Sequence, residues 1–303
     1  MRFQRKKFIQ SDVPVSCRSR NPVIMGIDEA GRGPVLGPMV YSAAYWAIDS
    51  NEACEAMGFD DSKVLSAASR KSLYKTITES TEIGSISWIA RSVSACEISD
   101  KMQRKVRNLN EIARDATIQI IEIVQAKRVC LQCVYVDTIG DPSWYQNFLT
   151  KHFREKITFV VRKKADQLFK IVSAASIVAK VIRDTILEEW KWETLTHTLP
   201  TEFGSGYPSD PSTKAWLLQY RDPIFAYPNI VRFSWSTIEN LLQATPKVAW
   251  AFDDSTPKNE SVRASITSFF PPSKSASSVG KKRKRSIILT SRKLCSVQRI
   301  EDL

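Results

Sequence analysis

The sequence predicts an α/β domain: a mixed β-sheet flanked by helices, closed by a C-terminal helical cap. Short apolar or β-branched runs come early and alternate with segments of helical periodicity. The last third of the body carries only helical patterns. Near residue 252 the patterning stops, and Ser, Pro and Lys take over.

In chain order, residues 1–20 are basic and unpatterned and read as a loose arm. Residues 23–27 (Val-Ile-Met-Gly-Ile) form a buried strand, and residues 39–46 a second. The glycine- and proline-rich stretch 31–38 connects the two tightly. Residues 66–77 are helical, with Ser66 as N-cap. The β-branched span 83–93 reads as a strand. Leu109, Ile112, Ala116, Ile120 and Val124 recur at helical spacing, so residues 108–126 form an amphipathic helix. A strand follows at 129–136, a helix at 143–153 and a short strand at 157–161. A long helix with an Ala/Ile/Val face spans 170–190, with further helices near 211–220 and 235–243. The organisation is therefore an arm (1–20), a folded body (21–250) and a largely disordered basic tail (251–303).

Composition narrows the function. The 303 residues are 43% hydrophobic and 25% charged, enough to build a core. No apolar run approaches the ~18–20 residues that span a bilayer. The Arg- and Lys-rich start lacks the apolar region of a secretory signal. The net charge is +12, but residues 1–20 contribute +5, residues 251–303 contribute +6, and the body is nearly neutral. A general polyanion binder is more often basic throughout. Two histidines, His152 and His197, argue against a His-rich metal site and a Ser-His-Asp triad. The six cysteines suggest no disulfide framework. Cys130 and Cys133 form a C-x-x-C without a second pair, so they read as small core residues rather than zinc ligands.

The chemistry lies in acids at strand ends. Asp28-Glu29 follows the first buried strand, Asp137 follows Val-Tyr-Val136, and Asp166 lies between Phe-Val-Val161 and the long helix. Ligand sites of open α/β sheets form where the chain leaves strand C-termini. Carboxylates gathered there repel one another, and a cation is the natural remedy. Oxygen-only ligands suit Mg²⁺ or Mn²⁺. Two such ions about 4 Å apart activate water and stabilise the leaving oxygen in phosphodiester cleavage. Singly, each acid is as readily a cap or turn residue. Two adjacent acids directly after a buried strand are costly unless used. Ala30-Gly31-Arg32-Gly33-Pro34 follows at once: glycines admit a ligand close to the backbone, and Arg32 adds a forked cation.

The stretch Met25-Gly-Ile-Asp-Glu-Ala-Gly-Arg-Gly-Pro-Val-Leu-Gly-Pro38 resembles the signature of type 2 ribonucleases H. Asp61-Ser-Lys63, Tyr135-Val-Asp-Thr138, Lys163-Lys-Ala-Asp166, the segment Ser173 to Asp184, and Gly204-Ser-Gly-Tyr-Pro-Ser-Asp-Pro211 agree in the family's order. The resemblance covers about residues 22–245. The Tyr-Pro-Ser-Asp-Pro and Arg232-Phe-Ser-Trp235 stretches look most like eukaryotic catalytic (A) subunits. It implies an RNase H-like fold and cleavage of the RNA strand of RNA/DNA hybrids. It also implies incision 5′ of a single ribonucleotide in duplex DNA, leaving a 3′-hydroxyl and a 5′-phosphate. By resemblance, Asp28, Glu29, Asp137 and Asp166 are catalytic metal ligands for two Mg²⁺, with Mn²⁺ as an alternative. Gly31, Arg32 and Gly33 read the 2′-hydroxyl and its phosphate, and Tyr207 stacks on the next sugar. Two non-catalytic subunits are the expected partners.

Lys63, Lys164, Lys180 and Arg183 are candidate phosphate contacts. The plain alternative for Lys180 and Arg183 is a solvated helix face or an ion pair with Asp184 or Glu188. Trp190 and Trp192 read as packing residues. In the tail, Gly280-Lys-Lys-Arg-Lys-Arg285 reads as a nuclear localisation signal. Arg263–Phe270 resembles the sliding-clamp (PCNA) motif, with Arg263 in place of the usual glutamine. Two rival classes remain. A general two-metal nuclease would cut DNA lacking ribose, and a silent nucleic-acid scaffold would lack part of the acidic cluster.

Overall fold

The run Met39–Ala47, apolar but for Ser42 and the tyrosine hydroxyls, becomes a central strand, and every one of its residues is buried. This computed structural model describes residues 6–18, 21–60, 64–83, 85–138, 140–192, 199–222 and 225–243. These residues all lie in one unit, Met1–Val248. The strands are β1 (Phe8–Gln10), β2 (Pro22–Ala30), β3 (Met39–Ala47), β4 (Ser87–Val93), β5 (Cys130–Asp137) and β6 (Thr158–Arg162). They form one sheet in the order β1-β4-β3-β2-β5-β6. The β1–β4, β4–β3 and β3–β2 pairs are antiparallel; β2–β5 and β5–β6 are parallel. The helices are α1 (Asn51–Glu55), α2 (Ala67–Ile83), α3 (Ala95–Gln103), α4 (Leu109–Ala126), α5 (Pro142–His152), α6 (Ala165–Leu168), α7 (Lys170–Glu188), α8 (Pro211–Gln219) and α9 (Ser236–Gln243).

Each face of the sheet has its own core. On one, Ile112, Ala116, Ile120 and Val124 of α4 meet Met25, Ile27, Tyr41 and Val134. A capping box fixes where α4 starts: Glu111 N–H donates to Asn108 Oδ1 at 3.0 Å, and Asn108 N–H donates to Glu111 Oε2 at 2.8 Å. Losing such a cap costs about 1 kcal/mol. On the other face, Ala174, Ala175, Val178 and Ile182 of α7 pack on Val40, Ala44 and Trp46. Burial of each such Val or Ile contributes roughly 1.5–3 kcal/mol. α7 comes so close to β2 that a Cβ on Gly26 would stand 2.4 Å from the Ile171 carbonyl oxygen. A third cluster joins Leu36, Phe203, Trp216, Leu217, Ile230 and Ile238. It laces the C-terminal cap to the loop after β2: Val35 N–H donates to Gly206 O at 2.8 Å, and Gly37 N–H donates to Ile230 O at 2.7 Å. Trp192 stacks on Trp216 at 5.9 Å, and Trp190 packs on the same cluster.

Several expectations need correction. The arm read as loose contains β1, which pairs with β4, and a fully buried Cys17. Three residues are too few to show a period. The strand expected from residue 83 begins at Ser87, because α2 continues to Ile83. Within α2 the Thr78 hydroxyl is satisfied by donating to Tyr74 O at 2.9 Å, one turn back. Cys130 is exposed and Cys133 half-buried, so they are not core residues. The buried positions of β5 are Leu131, Val134 and Val136. Asp28 and Glu29 do not follow β2 but lie within it, opposite Ser42 and Tyr41. Lys63, the clamp-like Arg263–Phe270 segment and the 280–285 basic run lie outside the described residues.

Candidate active site

β2 and β5 are parallel neighbours, so their C-terminal ends bring Asp28, Glu29 and Asp137 to one edge of the sheet. One carboxylate oxygen from each lies within 4.8 Å of the others. Asp28 is buried, which pushes its carboxyl well above the usual range; the charges of Glu29 and Asp137 push it the same way. Hydrogen bonds to the charged form oppose the shift, including Glu29 N–H to Asp28 Oδ1 at 2.7 Å. Asp137 Oδ1 accepts from Ala165 N–H at 2.7 Å, which ties β5 to the start of α6. This oxygen-only donor set of three crowded carboxylates fits a hard divalent cation.

The fourth expected ligand stands slightly apart. Asp166 is 1% exposed, in the first turn of α6, and is not among the three acids that converge. Its backbone oxygen accepts from Ser173 Oγ at 2.6 Å, which joins α6 to α7. Lys164 is exposed at the preceding turn, in left-handed conformation with φ 56°.

The loop after β2 forms one wall of a cavity of about 1120 Å³ over the carboxylates. Gly31 has φ +77°, and a Cβ there would stand 2.5 Å from Arg183 Nε. Side-chain-bearing residues rarely tolerate that conformation. Arg32 Nη2 donates to Asn110 Oδ1, and Arg32 Nη1 reaches the Tyr41 hydroxyl at 3.5 Å. Lys180, Arg183 and Tyr207 also line the cavity. Tyr207 is 47% exposed, and its ring would touch a Cβ on Gly33 at 3.0 Å. Arg183 makes the anticipated contact with Asp184, at 3.5 Å. Its Nε and Nη2 atoms are nonetheless buried without a hydrogen-bond partner among the described residues.

The sequence reading missed what holds this loop. Arg232 is fully buried, and its guanidinium donates to three backbone carbonyls: Gly37 at 2.9 Å, Arg32 at 2.9 Å and Gly31 at 2.5 Å. The Trp235 ring lies 4.8 Å from the guanidinium, and Trp235 Nε1 donates to Gly33 O at 3.1 Å. Burial pulls Arg232 down to about 9, so it stays charged at neutral pH. About 200 residues separate Arg232 from the loop it clamps, and no spacing signal links them.

A family model described as Ribonuclease HII matches residues 25–238. The (A) subunit of ribonuclease H2 from Arabidopsis thaliana is 45% identical over 234 residues, spanning 77% of this chain and 78% of that protein. Its Homo sapiens counterpart is 39% identical over 264 residues, spanning 86% of each. The crystal structure of the ribonuclease H2 from Pyrococcus horikoshii OT3 superposes with a TM-score of 0.61 at 33% identity, covering 73% of this chain and 97% of that one. The PCNA:RNase HII complex from Archaeoglobus fulgidus gives a TM-score of 0.59 at 31% identity, covering 73% and 98%.

Proposed function

The chain belongs to the ribonuclease HII family and is a ribonuclease H, and from that premise we propose that it is the catalytic subunit of a ribonuclease H2. It cleaves the RNA strand of RNA/DNA hybrids and incises 5′ of single ribonucleotides in duplex DNA. The observation that carries this reading is the convergence of Asp28, Glu29 and Asp137 within 4.8 Å, beside a loop that brings backbone and arginine to one cavity.

Asp28, Glu29 and Asp137 hold the metal, joined by Asp166 from the buried start of α6. A pair of Mg²⁺ ions, or Mn²⁺, bound there supplies activation of the attacking water and neutralisation of the leaving oxygen. The four carboxylates act as a unit, so losing any one nearly abolishes turnover. Gly31, Arg32 and Gly33 read the 2′-hydroxyl and its phosphate, because a glycine backbone lets a sugar approach closely. Tyr207 stacks on the sugar that follows the RNA–DNA junction. Arg183 lines the same cavity, and its guanidinium suits a phosphate oxygen. Lys63, Lys164 and Lys180 contribute further phosphate contacts. Attack in line with the leaving 3′-oxygen yields a 3′-hydroxyl and a 5′-phosphate.

Two non-catalytic subunits complete the enzyme, which serves ribonucleotide excision repair and RNA primer removal in the nucleus. The 280–285 basic run supports that location. Arg263–Phe270 docks on the sliding clamp; a relative solved as a PCNA:RNase HII complex lends support. Loss of peptide binding to the clamp on Phe269→Ala with Phe270→Ala checks this. The activity itself is tested by end-group analysis of a cleaved hybrid. With Mg²⁺ the products carry 3′-hydroxyl and 5′-phosphate ends, and EDTA or Asp28→Asn removes them. A 2′,3′-cyclic phosphate product, or cleavage that survives EDTA, overturns the proposal.

A further inference from the structure

A second cavity, of about 250 Å³, opens on the other face of the carboxylate edge. α4 and α5 wall it, whereas α7 and the C-terminal cap supply much of the larger one, which Leu109 at the start of α4 also reaches. Glu29, Arg32 and Asp137 line both, so a chain crossing the carboxylates runs from one cavity into the other. At its mouth stands Trp144, 52% exposed, with its ring stacked on Phe148 at 5.4 Å and 12°. The Arg114 guanidinium lies 5.1 Å from the Trp144 ring and 5.6 Å from that of Phe148. Asn110 and Thr138 add polar groups to the lining.

We infer that this cavity binds the scissile strand on the 5′ side of the cut: a deoxyribose packs against Trp144, and Arg114 faces the adjoining phosphate. The inference rests on the proposed ribonuclease reading, which places Tyr207 and the nucleotides 3′ of the cut in the larger cavity. What remains of the strand must then leave across the carboxylates toward α4 and α5. The chemistry suits it. An exposed aromatic side chain beside a guanidinium offers apolar surface to a sugar and a forked cation to a phosphate, so a strand is held by its backbone without being unpaired. The volume falls below the ~300–1,000 Å³ of drug-sized ligands and suits a single sugar. A tryptophan serving the core alone would be covered, as its neighbour Tyr145 is.

The test uses the full chain purified with its companion subunits and duplexes carrying one ribonucleotide. The scissile strand has a 5′ arm of either two or ten nucleotides, always on a full-length complement. The parent enzyme is expected to show a KM about tenfold lower with the long arm, which corresponds to about 1.4 kcal/mol of added binding. Trp144→Ala narrows that preference to about twofold, and Trp144→Phe restores most of it, which a purely structural role would not do. Arg114→Ala narrows it as well and flattens the salt dependence. The inference fails if the parent ignores arm length. It also fails if Trp144→Ala lowers activity equally on both arms. Loss of the companion subunits from the Trp144→Ala complex would mark a protein-docking face and overturn it too. Cleavage by the parent in each of these cases leaves the ribonuclease reading standing; no cleavage by the assembled parent refutes that reading instead.

Discussion

Replacing Arg232 with methionine keeps most of the side-chain volume and removes every donor. The carbonyls of Gly31, Arg32 and Gly37 then lose the guanidinium that satisfies them. Each orphaned buried acceptor costs roughly 1–3 kcal/mol. The change also removes a desolvated cation, which offsets part of that loss. Breaking one side of a buried charged cluster typically costs about 3–5 kcal/mol. At roughly 2–4 °C per kcal/mol for a domain of this size, Tm falls by about 6–20 °C. Arg232→Lys keeps the charge but loses the fork, and lands between the two. Trp235→Phe removes only the bond to Gly33 O and costs about 1 kcal/mol. Urea unfolding of the three variants gives the free energies, and steady-state kinetics on the same preparations separates KM from kcat. The loop is expected to loosen its hold on substrate, so KM rises in the folded fraction. A methionine variant within about 1 kcal/mol of the parent, with unchanged KM, would refute the clamp.

Three further outcomes follow from the geometry. Gly26→Ala puts a methyl group against the Ile171 backbone, so α7 must shift; overpacking of this kind costs about 1–3 kcal/mol, read as a lower urea midpoint. Asp28→Asn removes a buried carboxyl crowded by Glu29 and Asp137, so the metal-free protein unfolds at a higher temperature than the parent while turnover is lost. Asp210 caps α8, and hydrogen bonds from Ser205 hold its carboxyl down at about 2, below the aspartate value near 4. The folded state therefore prefers the ionised form, and that stability is present above about pH 4 and lost as pH falls toward 2. The stability gap between the parent and Asp210→Asn should close over that window; a gap that stays constant down to pH 2 contradicts it.

Much of the scaffold was legible because its signals are local. The capping residue Ser66 and the helical spacing of α4 lie within a few neighbouring residues, and the structure keeps both. The run 39–46 is apolar because both its faces are covered. Glu29 and Asp28 hid the end of β2, since acids ordinarily end strands and here continue one to the site. The position of Asp166 was harder to foresee. It depends on the short helix α6, whose four residues have no period to detect. Arg232 was invisible for a different reason: its partners are backbone carbonyls, which leave no trace in the sequence. Trp144 likewise reads as a helix residue until the cavity beside it is seen.

If a carboxylate-held metal and the Gly31-Arg32-Gly33 loop together make cleavage depend on one 2′-hydroxyl, two end-labelled duplexes of identical sequence, one all DNA and one with a single embedded ribonucleotide, will separate. The assembled enzyme meets each with Mg²⁺ and with EDTA. One Mg²⁺-dependent cut is expected, immediately 5′ of the ribonucleotide, and none in the all-DNA duplex. Equal cutting of both duplexes would contradict it.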